Sequence, residues 1–116
     1  EMSASLGAGD VYKRQDKNNA SAIVSAVQVW GSETSGSNLL AADATGTTVT
    51  VAAGGTTIGD GTNKAAIGAA LTNAGLDTTK IKCVSKTKWT SYSLKFTVDG
   101  NGAVKVEYTP ADIATE

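Results

Sequence analysis

Four residues, Asp99-Gly100-Asn101-Gly102, separate two runs that alternate apolar and polar side chains, and this interrupted alternation constrains the fold most. On one side Tyr92, Leu94, Phe96 and Val98 fall on every second position; on the other, Val104, Val106 and Tyr108 do. Period two is the repeat of a strand with one buried face. Asp and Asn beside Gly supply the left-handed backbone that a tight reversal needs. Residues 92–98 and 103–108 are therefore expected to pair as an antiparallel hairpin. Pro110 ends it and leaves 111–116 as a tail.

Further elements follow from the same reasoning. Thr48 and Thr50 oppose Val49 and Val51, so 45–52 reads as a strand, and 81–85 is a candidate strand. Ala20, Ile23, Ala26, Val27 and Trp30 recur at three- and four-residue steps. That period predicts a helix over 16–30 that packs Ile23, Val27 and Trp30 on a sheet. Asp16, Asn18 or Asn19 would cap its start, and Gly31 its end. Ser21, Ser25 and Gln28 form the other face, while Ala22 and Val29 widen the apolar side enough for burial on two sides. A second helix is expected over 63–74, with Ile67, Ala70, Leu71 and Ala74 on one face, Thr62 or Asn63 as its cap and Gly75 as its stop. Residues 32–38 read as a Ser/Gly-rich loop, 39–42 as a helical turn and 54–61 as turns around Ile58. The expected fold class is α+β: an N-terminal amphipathic helix packed on an antiparallel β-sheet, with a second short helix.

At 116 residues the chain suits one domain. Aromatic residues are only 5%, so the core must rely on Val, Ile, Leu and Ala. Ten Lys and Arg against eleven Asp and Glu give a net charge of −1. No basic stripe is implied, and no nucleic-acid partner is expected. No apolar run reaches the roughly 18 residues that a spanning helix needs, and no signal peptide is visible.

The side chains for common catalysis are scarce. There is no His, and Cys83 is the single Cys, so neither an internal disulfide nor a His/Cys metal cage is available. A Cys nucleophile wants a base partner such as His; within Ile81-Lys82-Cys83-Val84 this thiol reads as a small buried hydrophobe. Lys82, Lys86 and Lys88 beside it read as a solvated face. The Asp99 to Gly102 turn has the look of a calcium loop, but Glu107 falls too early for the closing ligand, which leaves a plain hairpin turn. Gly59-Asp60-Gly61 is likewise a turn without the Gly-Lys-Ser/Thr ending of a phosphate loop. Trp30, Trp89, Tyr92 and Tyr108 would suit a sugar-stacking platform; Trp30 reads as core, whereas Trp89, in a polar run, reads as exposed. Asn19-Ala20-Ser21 matches a glycosylation sequon. No catalytic, cofactor-binding or metal-binding residue is expected, and no cofactor.

The N-terminal segment stands apart. Gly9 to Gln15 reads GDVYKRQ, which resembles the in-frame translation of a transposon-end adapter used in preparing sequencing libraries. Residues 1–15 are therefore expected to be a non-native segment and 16–116 the globular domain. The natural chain would then continue upstream of Asp16, where any leader or anchor would lie.

The order of the remaining pieces carries a family resemblance. A helix through Ala26-Val27-Gln28-Val29-Trp30 precedes a Gly/Thr-rich loop, then Leu71-Thr72-Asn73-Ala74-Gly75-Leu76-Asp77, then Phe96-Thr97-Val98-Asp99-Gly100-Asn101-Gly102-Ala103-Val104. This resembles the extracellular half of type IV pilins and pseudopilins, particularly of Gram-positive type. The disulfide of the Gram-negative branch is missing. The resemblance implies a structural, non-enzymatic subunit of a cell-surface pilus, anchored in the membrane before assembly, with adhesion, motility, DNA uptake and secretion all open as the role of the pilus. Its partners would be other pilin subunits, joined through the N-terminal helix missing here, so that this fragment would be monomeric and meet a membrane only through that segment. The alternative is a secreted β-rich adhesin or carbohydrate-binding module using Trp89 and the 45–62 loops.

Overall fold

A computed structural model describes residues 8–31, 40–86 and 89–114, with side chains from residue 11 onward. Helix α1 (Ala8–Gly31) is followed by strands β1 (Asp43–Ala52) and β2 (Gly55–Ile58), helix α2 (Lys64–Asn73), strands β3 (Ser91–Val98) and β4 (Val104–Thr109), and a 3₁₀ turn (Ala111–Ala114). The strands form one antiparallel sheet in the order β2-β1-β3-β4. This is the expected α+β class.

The hairpin forms as the alternation predicts. Val98 faces Val104, Phe96 faces Val106 and Leu94 faces Tyr108. Tyr92, Leu94, Phe96 and Val98 are buried, and Val104, Val106 and Tyr108 pack half-buried on the same face. On β1, Val49 and Val51 fall in register with Leu94 and Tyr92, so one face of the sheet is a continuous apolar floor. The other face is polar: Thr57, Thr50, Ser93 and Thr109 line up across the four strands, and Lys95 lies opposite Glu107 beside them. At the start of β1 the pairing slips between Asp43 and Thr47, where Gly46 takes a φ of +98° that a side chain would resist.

Helix α1 crosses this floor. Ala20, Ile23, Val24, Ala26 and Val27 are buried against it, and Trp30 is half-buried at the end. Two expectations for this helix are corrected. Asp16, Asn18 and Asn19 lie inside it rather than at its cap, because the helix continues upstream to Ala8 through Val11 to Gln15, which contain no Gly or Pro, and Gln15 Nε2 even donates to Asn19 Oδ1 one turn on at 3.4 Å. The apolar stripe widens towards Val24, not towards Ala22 and Val29, which are exposed; Val29 is 56% accessible.

Helix α2 lies beside α1 and buries Ile67, Ala70 and Leu71, whereas Ala74 is exposed past its end. Asn63 sits at its N-cap position but makes no capping hydrogen bond. Its side chain instead bridges to Ala41, accepting from Ala41 N at 2.7 Å and donating to Ala41 O at 2.9 Å. Those bonds hold 40–42 without regular secondary structure, where a helical turn was expected; Leu39 and the loop 32–38 lie outside the described residues. Gly75, with a φ of +79°, closes the helix as expected.

Three other segments differ from expectation. Residues 55–58 form the edge strand β2 rather than turns, drawn into pairing with 49–52 by the two-residue reversal at Ala53 and Gly54. Residues 81–85 keep a strand's alternation, with Ile81, Cys83 and Ser85 buried and Lys82 exposed, yet join no ladder because their N–H groups are used elsewhere. Ile81 N donates to Asp77 O at 3.1 Å and Cys83 N to Ala52 O at 2.9 Å, so the segment runs along the β2 side of the sheet. Thr56 secures it there, its N–H donating to Thr78 O at 2.9 Å and its hydroxyl to Ile81 O at 2.7 Å. After β4 the chain does not trail away: the 3₁₀ turn buries Ile113 under α1.

Candidate functional site

Among the described residues, a dense buried polar cluster is built on Asp16. The position falls in step with the buried stripe, four residues before Ala20 and seven before Ile23, so the helix turns this carboxylate inward. Asp16 is 0% accessible. Four donors converge on it. Oδ1 accepts from Val84 N at 3.0 Å; Oδ2 accepts from Ser85 N at 3.0 Å, Trp89 Nε1 at 2.8 Å and Cys83 Sγ at 3.2 Å. The carboxylate therefore satisfies two backbone N–H groups that a sheet partner would otherwise take, which is why 81–85 needs no neighbouring strand.

Trp89 corrects a sequence expectation. It is 7% accessible, with its indole N–H spent on Asp16. The polar residues around it conceal a side chain whose partner lies 73 positions earlier. Cys83 is a buried small residue as expected, 5% accessible. Burial first, and then the hydrogen bond it donates to Asp16, push its thiol up to about 12. It stays protonated at neutral pH and is a poor nucleophile. Burial also raises the Tyr92 phenol, with the charge of Asp16 adding to the effect. Among the described residues, the Tyr92 and Ser85 hydroxyls are buried without a hydrogen-bond partner.

A second buried cluster fixes the opposite end of β1. Asp43 accepts from Gly46 N at 2.9 Å and from the Thr47 hydroxyl at 2.8 Å, and Thr47 Oγ1 accepts from Asn63 N at 3.3 Å. Both clusters join elements remote in sequence and expose no reactive group.

The surface candidates are simpler. Asp99 accepts from Asn101 N at 2.8 Å and Ala103 N at 3.0 Å, and these bonds, with Ala103 first, hold its carboxyl below the usual range. Gly102 takes a φ of +87°. This is the hairpin turn the sequence indicated. Among the described residues no three His, Cys, Asp or Glu side chains gather as a metal-binding group, and no helix is long and apolar enough to cross a membrane. Trp30, Trp89, Tyr92 and Tyr108 form no exposed aromatic platform, since two are buried and two half-buried. Asn19 of the sequon lies inside α1. Shallow cavities among the described residues include one of about 300 Å³ between α1 and α2, lined by Ala22, Val29, Ala70 and Leu76, one of about 350 Å³ between Tyr12, Ala53, Lys82 and Lys86, and one of about 270 Å³ between Gln28, Gly31 and Val104.

No protein-family model, curated protein or solved structure matches the chain. The class that the fold and the buried cluster define is thus an α+β domain whose N-terminal helix is locked to a long irregular segment by one internal carboxylate.

Proposed function

We propose that residues 16–116 form the head of a type IV pilin- or pseudopilin-like filament subunit of Gram-positive type, displayed at the cell surface. The observation that carries this reading is the relation of α1 to its sheet. From Asp16 onward one face of the helix is buried in the core, while from Val11 to Gln15 no residue is. The helix thus outruns its own domain in the direction from which a membrane anchor would enter. The domain contributes rigidity and a display surface rather than catalysis: its single thiol is protonated and buried, and its buried polar groups tie elements together.

Subunits would join through an apolar helix preceding Asp16, and the chain without it would remain monomeric. The alternative of a carbohydrate-binding module is weakened by the burial of Trp89, its aromatic candidate, and by the pairing of 43–52 within the sheet.

Recovering the natural reading frame upstream of Asp16 tests the proposal. A short basic leader followed by roughly 20 apolar residues is the expected result. A cleavable secretion signal directly before the domain would refute it.

A further inference from the structure

We propose that the exposed lysines of segment 80–86 dock the domain on an anionic phospholipid surface, a role that rests on the filament-head reading and adds a membrane contact to it. The net charge of −1 conceals an uneven distribution. Lys80, Lys82 and Lys86 are exposed, and no carboxylate lies between them in sequence. Two acids lie close by: Asp16, buried beneath the segment under four donors, and the exposed Asp77, which accepts from Thr79 N at 2.9 Å and Thr79 Oγ1 at 2.6 Å and feels the charge of Lys80, so the three lysines outnumber the acids beside them by one. Lys82 and Lys86 border one shallow cavity with Ala53 and Val84. At the far end of the molecule the lysines are matched by acids: Lys64 Nζ pairs with Asp60 Oδ1 at 3.0 Å, and Lys105 acts on the hairpin-turn Asp99.

The lysines sit on a fixed base. Cys83 N is bonded to Ala52 O, Thr56 to Ile81 O, and Val84 and Ser85 to Asp16. Asp16 places this base beside the N-terminal part of α1. In a membrane-anchored subunit that is the end of the head nearest the bilayer. Lysine ammonium groups are compact, strongly hydrated point charges, suited to diffuse attraction by a charged surface rather than to a shaped anion pocket. Each adds about five-fold to partitioning onto an anionic bilayer, so three give about 100-fold.

The test is co-sedimentation of the 116-residue chain with phosphatidylglycerol/phosphatidylcholine vesicles at low salt. Binding is expected to the mixed vesicles, not to pure phosphatidylcholine, and to disappear near 1 M salt, where the Debye length is about 3 Å. The variant Lys80→Gln/Lys82→Gln/Lys86→Gln should lose about 100-fold. Lys64→Gln/Lys105→Gln, at the other end, should bind as the parent does. Circular dichroism of each variant separates lost binding from lost folding.

Equal binding to neutral vesicles, or full binding by the triple variant, overturns the proposal. So does loss of binding in Lys13→Gln/Arg14→Gln alone, which assigns the attraction to the N-terminal segment. Tighter capture of heparin than of vesicles also overturns it and assigns the lysines to a soluble acidic polymer. Because these measurements need no upstream helix, their failure leaves the filament reading to its own test. Failure of that test leaves the measured lipid affinity standing, without its place beside an anchor.

Discussion

The Asp16 carboxylate accepts the indole N–H of Trp89 at 2.8 Å, joining a helix near the start of the chain to the entry of β3. Between these two residues lie β1, β2 and α2, so the bond closes most of the domain around itself. An unmade bond here leaves buried donors with no alternative partner.

Asp16→Ala is therefore expected to be the most damaging single change in the interior. It strands Val84 N, Ser85 N and the Trp89 indole at once. Each orphaned donor costs about 1–3 kcal/mol, and the combined loss should be about 4 kcal/mol. Urea unfolding followed by tryptophan fluorescence measures it. A loss under about 1 kcal/mol would mean that the loop finds other acceptors.

Alkaline pH should weaken the fold through Cys83 and Tyr92. Both have folded values raised above their ordinary ones, so each favours folding while protonated. For Cys83 that contribution is complete below the ordinary thiol value of 9.0 and is lost as pH rises towards about 12. Cys83→Ser keeps a donor for Asp16 and removes the thiol titration, so its stability should fall less steeply over this window. An identical slope in both proteins would assign the loss to other groups. In the native parent, iodoacetamide at pH 8 should label Cys83 only as fast as the domain opens.

Acid should loosen the hairpin turn through Asp99. The Asp99 carboxyl is held below its ordinary value of 3.8 by the Ala103 and Asn101 amides, so its contribution is present above that value. It is lost as pH falls through the lower folded value. The amide protons of Asn101 and Ala103 should shift together in NMR spectra below about pH 4, and Asp99→Ala should abolish the transition.

Asn63→Ala should cost about 1 kcal/mol, because it removes both hydrogen bonds to the Ala41 backbone, whose exposed groups turn to water instead. Alanine at Val11 or Gln15, which are exposed and outside the core, should change stability by no more than about 0.5 kcal/mol. Thermal unfolding of the three variants side by side checks the contrast. A large loss at Val11 would argue that residues 1–15 carry native contacts.

Elements set by local period were legible in the sequence: the 92–108 hairpin, the 45–52 strand and both helices. What escaped were features decided by partners far along the chain. Asp16 resembles a cap, as Asn18 and Asn19 do, because a polar residue before an apolar run usually is one; its step with Ala20, Ile23 and Val27 is the signal that it points inward. Trp89 reads as exposed because its neighbours are polar, and no local pattern discloses a carboxylate 73 residues away. Segment 81–85 alternates as a strand does, and alternation reports burial but not who accepts the hydrogen bonds. The cluster at Asp16 was hidden for the same reason, since its donors arrive from a segment whose pairing the sequence leaves open.

The two margins of the sheet are not equivalent. On the β2 side, Thr78 and Ile81 already take up the N–H and hydroxyl of Thr56, and Cys83 extends the cover to Ala52. Strand β4 bounds the other side with Lys105 and Glu107 exposed along it. Any growth of the sheet by a foreign strand must therefore begin at β4, past alternating charges that discourage it. Two molecules joined there would each turn a covered margin outward, so such an association stops at a pair instead of propagating into a fibre.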